Sequence, residues 1–258
     1  EYCETYSVAQ GLLSPWIIRI LIDNKDQIWV RYNLNMGVSV INKKAGTIKH
    51  ITTPEGLSSN AVRALMEDKK GRIWITTNNG INVIDQKAGT IKSLTKGQSL
   101  GGNNCWGIYQ DSKHRVWSQC GNFIDLLNEE AGTIKHIKGF VASFSEDKEG
   151  NMWFGTQNAG VLILDEKANI LRKVSKDQGL SNDLIYSIVF DKMDRAWIST
   201  VGSGVFVYDP RKLSIKNFNS THGLSNDRVL YIFADNQHQI WMGLNGGEAN
   251  IYNISGGD

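Results

Sequence analysis

Asp68-Lys69-Lys70-Gly71-Arg72-Ile73-Trp74-Ile75-Thr76-Thr77-Asn78-Asn79-Gly80 is the stretch whose reading decides the fold, because relatives of it recur along the whole chain. Its tryptophan marks the register. Trp29, Trp74, Trp117, Trp153, Trp197 and Trp241 fill the same position at spacings of 45, 43, 36, 44 and 44 residues. Periods of roughly 40 to 45 residues belong to solenoids and propellers, in which one repeat cannot bury its own apolar faces and needs its neighbours. The six repeats are therefore expected to form one domain over residues 1–258.

Each repeat divides into four short apolar segments. In the second they are Ala61 to Glu67, Arg72 to Thr76, Ile81 to Ile84 and Thr90 to Leu94, separated by Asp-, Asn- and Gly-bearing stretches suited to tight turns. No segment sustains a 3.6-residue apolar period with caps, so almost no helix is expected. Four antiparallel strands repeated six times predict an all-β, six-bladed β-propeller. The sixth repeat holds only three strands before Asp258, whereas Tyr2 to Val8 stands in a fourth-strand slot ahead of Gly11-Leu12-Leu13-Ser14. The N-terminal strand is accordingly expected to complete the last blade and close the ring.

Composition sets further bounds. The net charge is only +2, from 28 basic and 26 acidic residues, and the lysines are scattered, so no nucleic-acid surface is indicated. The longest apolar run, about Trp16 to Ile22, contains Arg19 and falls far short of the roughly 20 residues a membrane helix needs. Direct membrane contact is not expected of this segment. With 3 cysteines the chain is no disulfide scaffold. Cys105 and Cys120 flank a hairpin turn centred near Lys113 at nearly opposite positions, and a one-residue slip would put their side chains on opposite faces. Cys3 reads as a packed thiol.

A linker precedes the first strand of several repeats: Gly56-Leu57-Ser58-Ser59-Asn60, Gly179-Leu180-Ser181-Asn182-Asp183 and Gly223-Leu224-Ser225-Asn226-Asp227. The fourth repeat lacks it, which accounts for the 36-residue spacing. Together with Asp-Xaa-Xaa-Gly-Xaa-Xaa-Trp, as in Asp68 to Trp74 and Asp147 to Trp153, this resembles the two-component regulator propeller repeat. The resemblance covers essentially the whole chain. It implies a periplasmic sensor segment of a hybrid two-component regulator, many of which sense oligosaccharides, with signalling passed to a domain outside this chain.

The marker tryptophans read as packing between blades rather than as ligand platforms. Asp23, Asp68, Asp111, Asp147, Asp191 and Asp235 each open a tight turn, where a carboxylate accepts from the backbone two residues on. Trp16 and Trp106 are different, because the repeat does not require them. Alignment puts Trp16 with Ala61, Asn104, Phe140, Leu184 and Arg228, and Trp106 with Ile18, Arg63, Ala142, Tyr186 and Leu230. Both slots are variable and lie where the first strands begin. The expected ligand-binding residues are Trp16, Arg63, Trp106, Phe140, Tyr186 and Arg228 from the first strands, with Arg31, Tyr32, Asn78, Gln119, Gln157 and Asn245 from the loops between second and third strands. Aromatic faces with amide and guanidinium donors suit sugar rings.

Catalytic chemistry finds little support. His114 and His238 lie in first turns, His50 and His136 share a slot on outer strands, and His222 stands beside Gly223, so no ligand set or acid/base pair forms. Glu248 is the one carboxylate kept as a candidate. No metal or other cofactor is expected. Lys49, Lys92, Lys135, Lys173 and Lys216 recur on the outer strands, where charge discourages pairing with other chains. The chain thus reads as a noncatalytic sensor propeller binding an oligosaccharide or similar polar small molecule. The alternatives are a protein-interaction scaffold and, after it, a propeller lyase or hydrolase.

Overall fold

A computed structural model describes residues 3–33, 35–129, 132–181, 184–237 and 239–254. The chain gathers into two compact units, Glu1–Lys138 and Gly139–Asp258, and each is three antiparallel sheets. In the first unit, blade one is β1 (Ile17–Ile22), β2 (Ile28–Tyr32), β3 (Val38–Asn42) and β4 (Thr47–Ile51). Blade two is β5 (Val62–Glu67), β6 (Ile73–Thr77), β7 (Gly80–Asp85) and β8 (Thr90–Leu94). Blade three is β9 (Cys105–Gln110), β10 (Val116–Cys120), β11 (Phe123–Asn128) and β12 (Thr133–Lys138). The second unit begins with blade four, formed by β13 (Val141–Glu146), β14 (Met152–Thr156), β15 (Val161–Leu164) and β16 (Ile170–Val174). It continues with blade five, β17 (Ile185–Phe190), β18 (Ala196–Thr200), β19 (Val205–Asp209) and β20 (Ser214–Phe218). Blade six is β21 (Val229–Ala234), β22 (Gln239–Leu244) and β23 (Ala249–Asn253). Strands follow chain order across every sheet, and helix among the described residues is limited to three short 3-10 turns. The all-β propeller architecture read from the repeat is the one observed.

One hydrogen-bond set explains why the repeat has the residues it has. The Asp68 carboxylate accepts the Lys70 and Arg72 backbone N–H groups with Oδ1, while Oδ2 accepts the Trp74 indole N–H at 2.8 Å. The same indole bond joins Trp29 to Asp23, Trp117 to Asp111, Trp153 to Asp147, Trp197 to Asp191 and Trp241 to Asp235, at 2.8 to 2.9 Å. The aspartate thus folds the first turn and satisfies the one polar atom of a tryptophan that must be buried. Burial pushes the Asp68 carboxyl up, but the indole, the Arg72 backbone N–H and the Arg72 guanidinium outweigh it and hold it below the usual carboxylate range. Asp23 is held low in the same way without a salt bridge, by Trp29, Gln27 and Gln86 against burial. A depressed folded pKa means that this stabilisation is full above the ordinary aspartate pKa and is lost as pH falls through the folded value.

Five of the marker tryptophans are at most 2% exposed, and Trp241 is 41% exposed. In the first unit Trp29 shares a core with Leu57, Val62, Ile73 and Ile75 of the next blade, and Trp74 with Cys105, Val116 and Leu127. In the second unit Trp153 packs among Leu180, Ile185 and Ile198, and Trp197 among Val229, Ile240 and Met242. Leu57 and Leu180 come from the linkers, whose glycines end their turns with positive φ: 113° at Gly56 and 101° at Gly179. Glycine takes that backbone conformation without a Cβ penalty, which is why the linker motif begins with it.

The N-terminal segment behaves differently from its expectation. Residues 3–7 form no strand, and blade six counts three strands among the described residues. Ser7 instead caps a 3-10 turn over Val8–Gln10 that ends at Gly11 with φ 110°, the same device as Asn219 before Ser220–His222 and Gly223. The fourth-strand pattern was the linker pattern. Tyr6 packs against the Leu12, Val30, Tyr32 and Ile41 core of blade one, and Glu4 pairs with Lys43 at 2.6 Å. Cys3 is exposed and outside any strand, not a packed thiol. Tyr2, Asn182, Asp183, His238 and the last four residues lie outside the described residues.

Cys105 and Cys120 are partners across β9 and β10 and form a disulfide, both fully buried. The outer-strand lysines are exposed, opposite Val40, Val83, Leu126, Leu162 and Val207, as edge protection requires.

Replacing Asp68 by Ala strands the indole and two backbone donors, so denaturant unfolding should show a loss of about 3 kcal/mol; an unchanged midpoint would contradict the role given to it. Thiol titration of the native protein should find one reactive cysteine, Cys3, and three after reduction under denaturing conditions.

Candidate functional site

The variable slot that holds Trp106 has a structural definition. Register shifts fall between Ile17 and Arg19, Val62 and Ala64, Cys105 and Gly107, Val141 and Ser143, Ile185 and Ser187, and Val229 and Tyr231. The residues passed over are Ile18, Arg63, Trp106, Ala142, Tyr186 and Leu230. Every first strand therefore begins with a β-bulge, and the slot is its extra residue. A bulge leaves one residue unpaired and re-aims its side chain, so identity there is released from the ladder.

The slot of Trp16 is fixed by its carbonyl instead. Asn33, Asn78, Gly121, Gln157, Val201 and Asn245 each donate a backbone N–H to the carbonyl of Trp16, Ala61, Asn104, Phe140, Leu184 and Arg228, at 2.9 to 3.3 Å. These bonds tie each loop between second and third strands to the start of its first strand. The backbone is uniform while the side chains vary.

In the first unit the geometry gathers part of the expected set. The Arg63 guanidinium carbon lies 4.3 Å from the centre of a Trp106 ring, and Arg63 Nε donates to the Asn78 side-chain oxygen at 2.9 Å. Trp106 is 43% exposed and Arg63 half-buried. Arg31 Nε donates to the carbonyl of Val62, the residue before Arg63, at 3.0 Å. Trp16 is 68% exposed. The result is a cation held over an indole, with an amide fixing its direction.

Two expected members are interior. Tyr32 is 1% exposed, and its hydroxyl donates to Ser39 Oγ at 2.6 Å and accepts the Leu13 N–H. Gln119 is fully buried and donates to the Gly121 carbonyl at 2.7 Å. Tyr32 ends β2 and Gln119 is the last residue but one of β10, so they stand on opposite faces of their strands; second strands lie between two others and are packed on both faces, so both side chains are interior. In the second unit Phe140 and Tyr186 are half-buried, while Gln157, Arg228 and Asn245 are exposed; Asn245 and Gln157 bond the backbone of Arg228 and Phe140.

Arg19 was absent from the expected set. It stands directly opposite Arg31 across β1 and β2, the last regular pair before the bulge at Ile18.

The acid and histidine candidates stand elsewhere. Asp125 is fully buried in β11 with His136 Nδ1 at 2.7 Å and the Gly101 N–H at 2.9 Å; burial raises its pKa against those two bonds. His50 takes the matching place against Ser39. His114 lies in the first turn of blade three, His222 bonds Asn219, and Glu248 is exposed in the loop before β23. Among the described residues no group of three or more His, Cys, Asp or Glu stands close enough to hold a metal ion.

The family model described as "Two component regulator propeller" matches residues 56–79 and 137–158, which hold the Gly56 linker, the Asp68–Trp74 turn and the Asp147–Trp153 turn. Two of the six repeats, the second and the fourth, thus match this family model. This propeller is similar to the extracellular domain of BT3049 from B. thetaiotaomicron, described as a hybrid two component system, with a TM-score of 0.73 and 20% identity over 96% of this chain and 35% of that one. The extracellular domain of BT4673 from the same organism gives 0.70 and 20% over 95% and 36%. Virginiamycin B lyase from Staphylococcus aureus gives 0.65 and 20% over 91% and 83%. Likeness at this identity establishes the fold. The chain spans about a third of the length of the two extracellular domains, and no curated protein matches its sequence.

If Tyr32 is interior, Tyr32→Phe should cost about 1 kcal/mol on unfolding, one hydroxyl and its two bonds being lost, and leave every ligand response unchanged. A changed ligand response at equal stability would return Tyr32 to the site.

Proposed function

We propose that this propeller is a noncatalytic, ligand-binding part of the extracytoplasmic sensor region of a two component regulator, and that it takes a saccharide. The observation that carries the reading is the exposed Trp106 with Arg63 over it and Asn78 aligning Arg63. Sugar rings stack their C–H faces on indoles and need directed donors for their hydroxyls, and this trio offers both on variable positions of an otherwise uniform backbone. Trp16 supplies a second exposed indole in the same unit. Phe140, Gln157, Tyr186, Arg228 and Asn245 stand in the equivalent slots of the second unit and belong to the same proposal.

The disulfide supports an extracytoplasmic setting, because such bonds persist in oxidising compartments. The likeness to extracellular domains of hybrid two component systems supports it as well. No helix among the described residues is long and apolar enough to cross a membrane. Among the described residues the histidines stand apart, and the buried Asp125 is held by His136 and the Gly101 N–H, which supports a binding rather than a catalytic role. Signalling then passes through a partner domain beyond this segment.

Binding to the folded state raises the melting temperature in proportion to occupancy. A saccharide identified on a glycan array should therefore raise it for the wild type, and Trp106→Ala with Arg63→Gln should abolish the rise while leaving the unliganded melt within a few degrees. An unchanged rise in the double variant would remove these residues from the site.

A further inference from the structure

Resting on the saccharide reading, we propose that the ligand is anionic: the Arg63–Trp106 pair, with Arg19 and Arg31 beside it, recognises a carboxylate- or sulfate-bearing sugar. The first ground is charge placement within the first unit. The segments that begin its first strands and link its second to third strands, residues 14–19, 31–37, 58–63, 77–80, 101–107 and 119–123, contain Arg19, Arg31 and Arg63 and neither Asp nor Glu. Asp23, Asp26, Asp68, Asp85, Asp111 and Glu129 lie in the turns at the other end of the strands; of the carboxylates nearer this end, Glu55 in the linker after β4 is bonded to Thr52, and Asp125 is buried against His136 and the Gly101 N–H.

The second ground is the contrast between arginines of one unit. Arg72 and Arg115 also lie over tryptophans, 5.4 Å from the rings of Trp74 and Trp117, and each is neutralised by the aspartate of its turn. Arg63 has no carboxylate partner among the described residues; its single side-chain bond runs from Nε to a neutral amide. The Trp106 ring beneath the guanidinium and the bond from Nε to Asn78 hold it from two sides, which leaves its terminal N–H groups for a bidentate anion.

The third ground is an unfavourable pairing. Arg19 and Arg31 are direct cross-strand partners, and like charges in that relation destabilise a sheet. An anion seated beside them reverses the sign of that interaction. Arg31 bonds the Val62 carbonyl, which places the pair next to Arg63. A saccharide is favoured over an acidic peptide because Trp106 and Trp16 offer stacking surfaces in the same unit.

The test uses tetrasaccharides of galacturonate, glucuronate and sulfated hexosamine, each paired with its methyl-esterified or desulfated form, and hexaglutamate as a peptide control, titrated calorimetrically. At least one acidic tetrasaccharide should bind, with affinity at least tenfold above its neutralised form and falling steeply from 50 to 500 mM salt, as exposed charge pairs do. Arg63→Gln should remove that preference, Arg63→Lys should restore it in part, and both variants should melt with the wild type. Equal binding of acidic and neutralised forms, or a preference that survives Arg63→Gln, would overturn the anionic inference and leave the saccharide reading standing. Hexaglutamate bound as tightly as the sugars would overturn the sugar class. Binding of no saccharide, acidic or neutral, would overturn both.

Discussion

The bond between a turn aspartate and the indole six residues later is the interaction on which the rest depends. It recurs six times with the same atoms and lengths of 2.8 to 2.9 Å. An apolar wedge as large as tryptophan fills the gap between twisted sheets, but its N–H cannot be buried unpaired without cost. The aspartate meets that need while its other oxygen folds the hairpin that carries the tryptophan. Neighbouring blades then key onto the same carboxylate. In the first unit Gln86 reaches back to Asp23 and Gln27, whereas Glu129 reaches back to Arg72, itself bound to Asp68. An amide donor meets the Asp23 carboxylate where no arginine follows it, and an acid meets a base where Arg72 does, so each contact suits its own blade pair.

With the framework fixed so uniformly, variation concentrates where the ladder does not constrain it. The bulge at the start of each first strand is such a place, and Trp106, Arg63 and Tyr186 occupy it. The backbone cannot tell these residues apart. Side chains at such positions are not dictated by the ladder, which is why they carry the functional reading.

Much of the fold was legible because repetition exposes it. Thr90 to Leu94 is a strand with the bounds read from the sequence, and the other three of its blade differ by a residue at one end or both. The N-terminal segment was misread because its spacing from Gly11 matches that of a fourth strand, while its chemistry, a Ser cap and a turn before a positive-φ glycine, is that of the linker. The site was legible in half. Alignment by turn aspartates found both variable slots, since a bulge conserved in every blade leaves the spacing unchanged. Tyr32 and Gln119 were misplaced because second strands are packed on both faces up to their ends, and Arg19 was missed although the register counted from the Asp23 turn pairs it with Arg31.

Framework and site therefore separate by residue even where the amino acid is the same, and the eight tryptophans make that separation measurable. Six indole N–H groups are bonded to aspartates, and Trp16 and Trp106 are not among them. A two-dimensional nitrogen–proton spectrum of the indole groups, recorded while an acidic tetrasaccharide is titrated in, tests this most directly. The Trp106 resonance should move in proportion to occupancy, while those of Trp29, Trp74, Trp117, Trp153 and Trp197 stay in place. Movement of the five with Trp106 unmoved would contradict the assignment of framework and site.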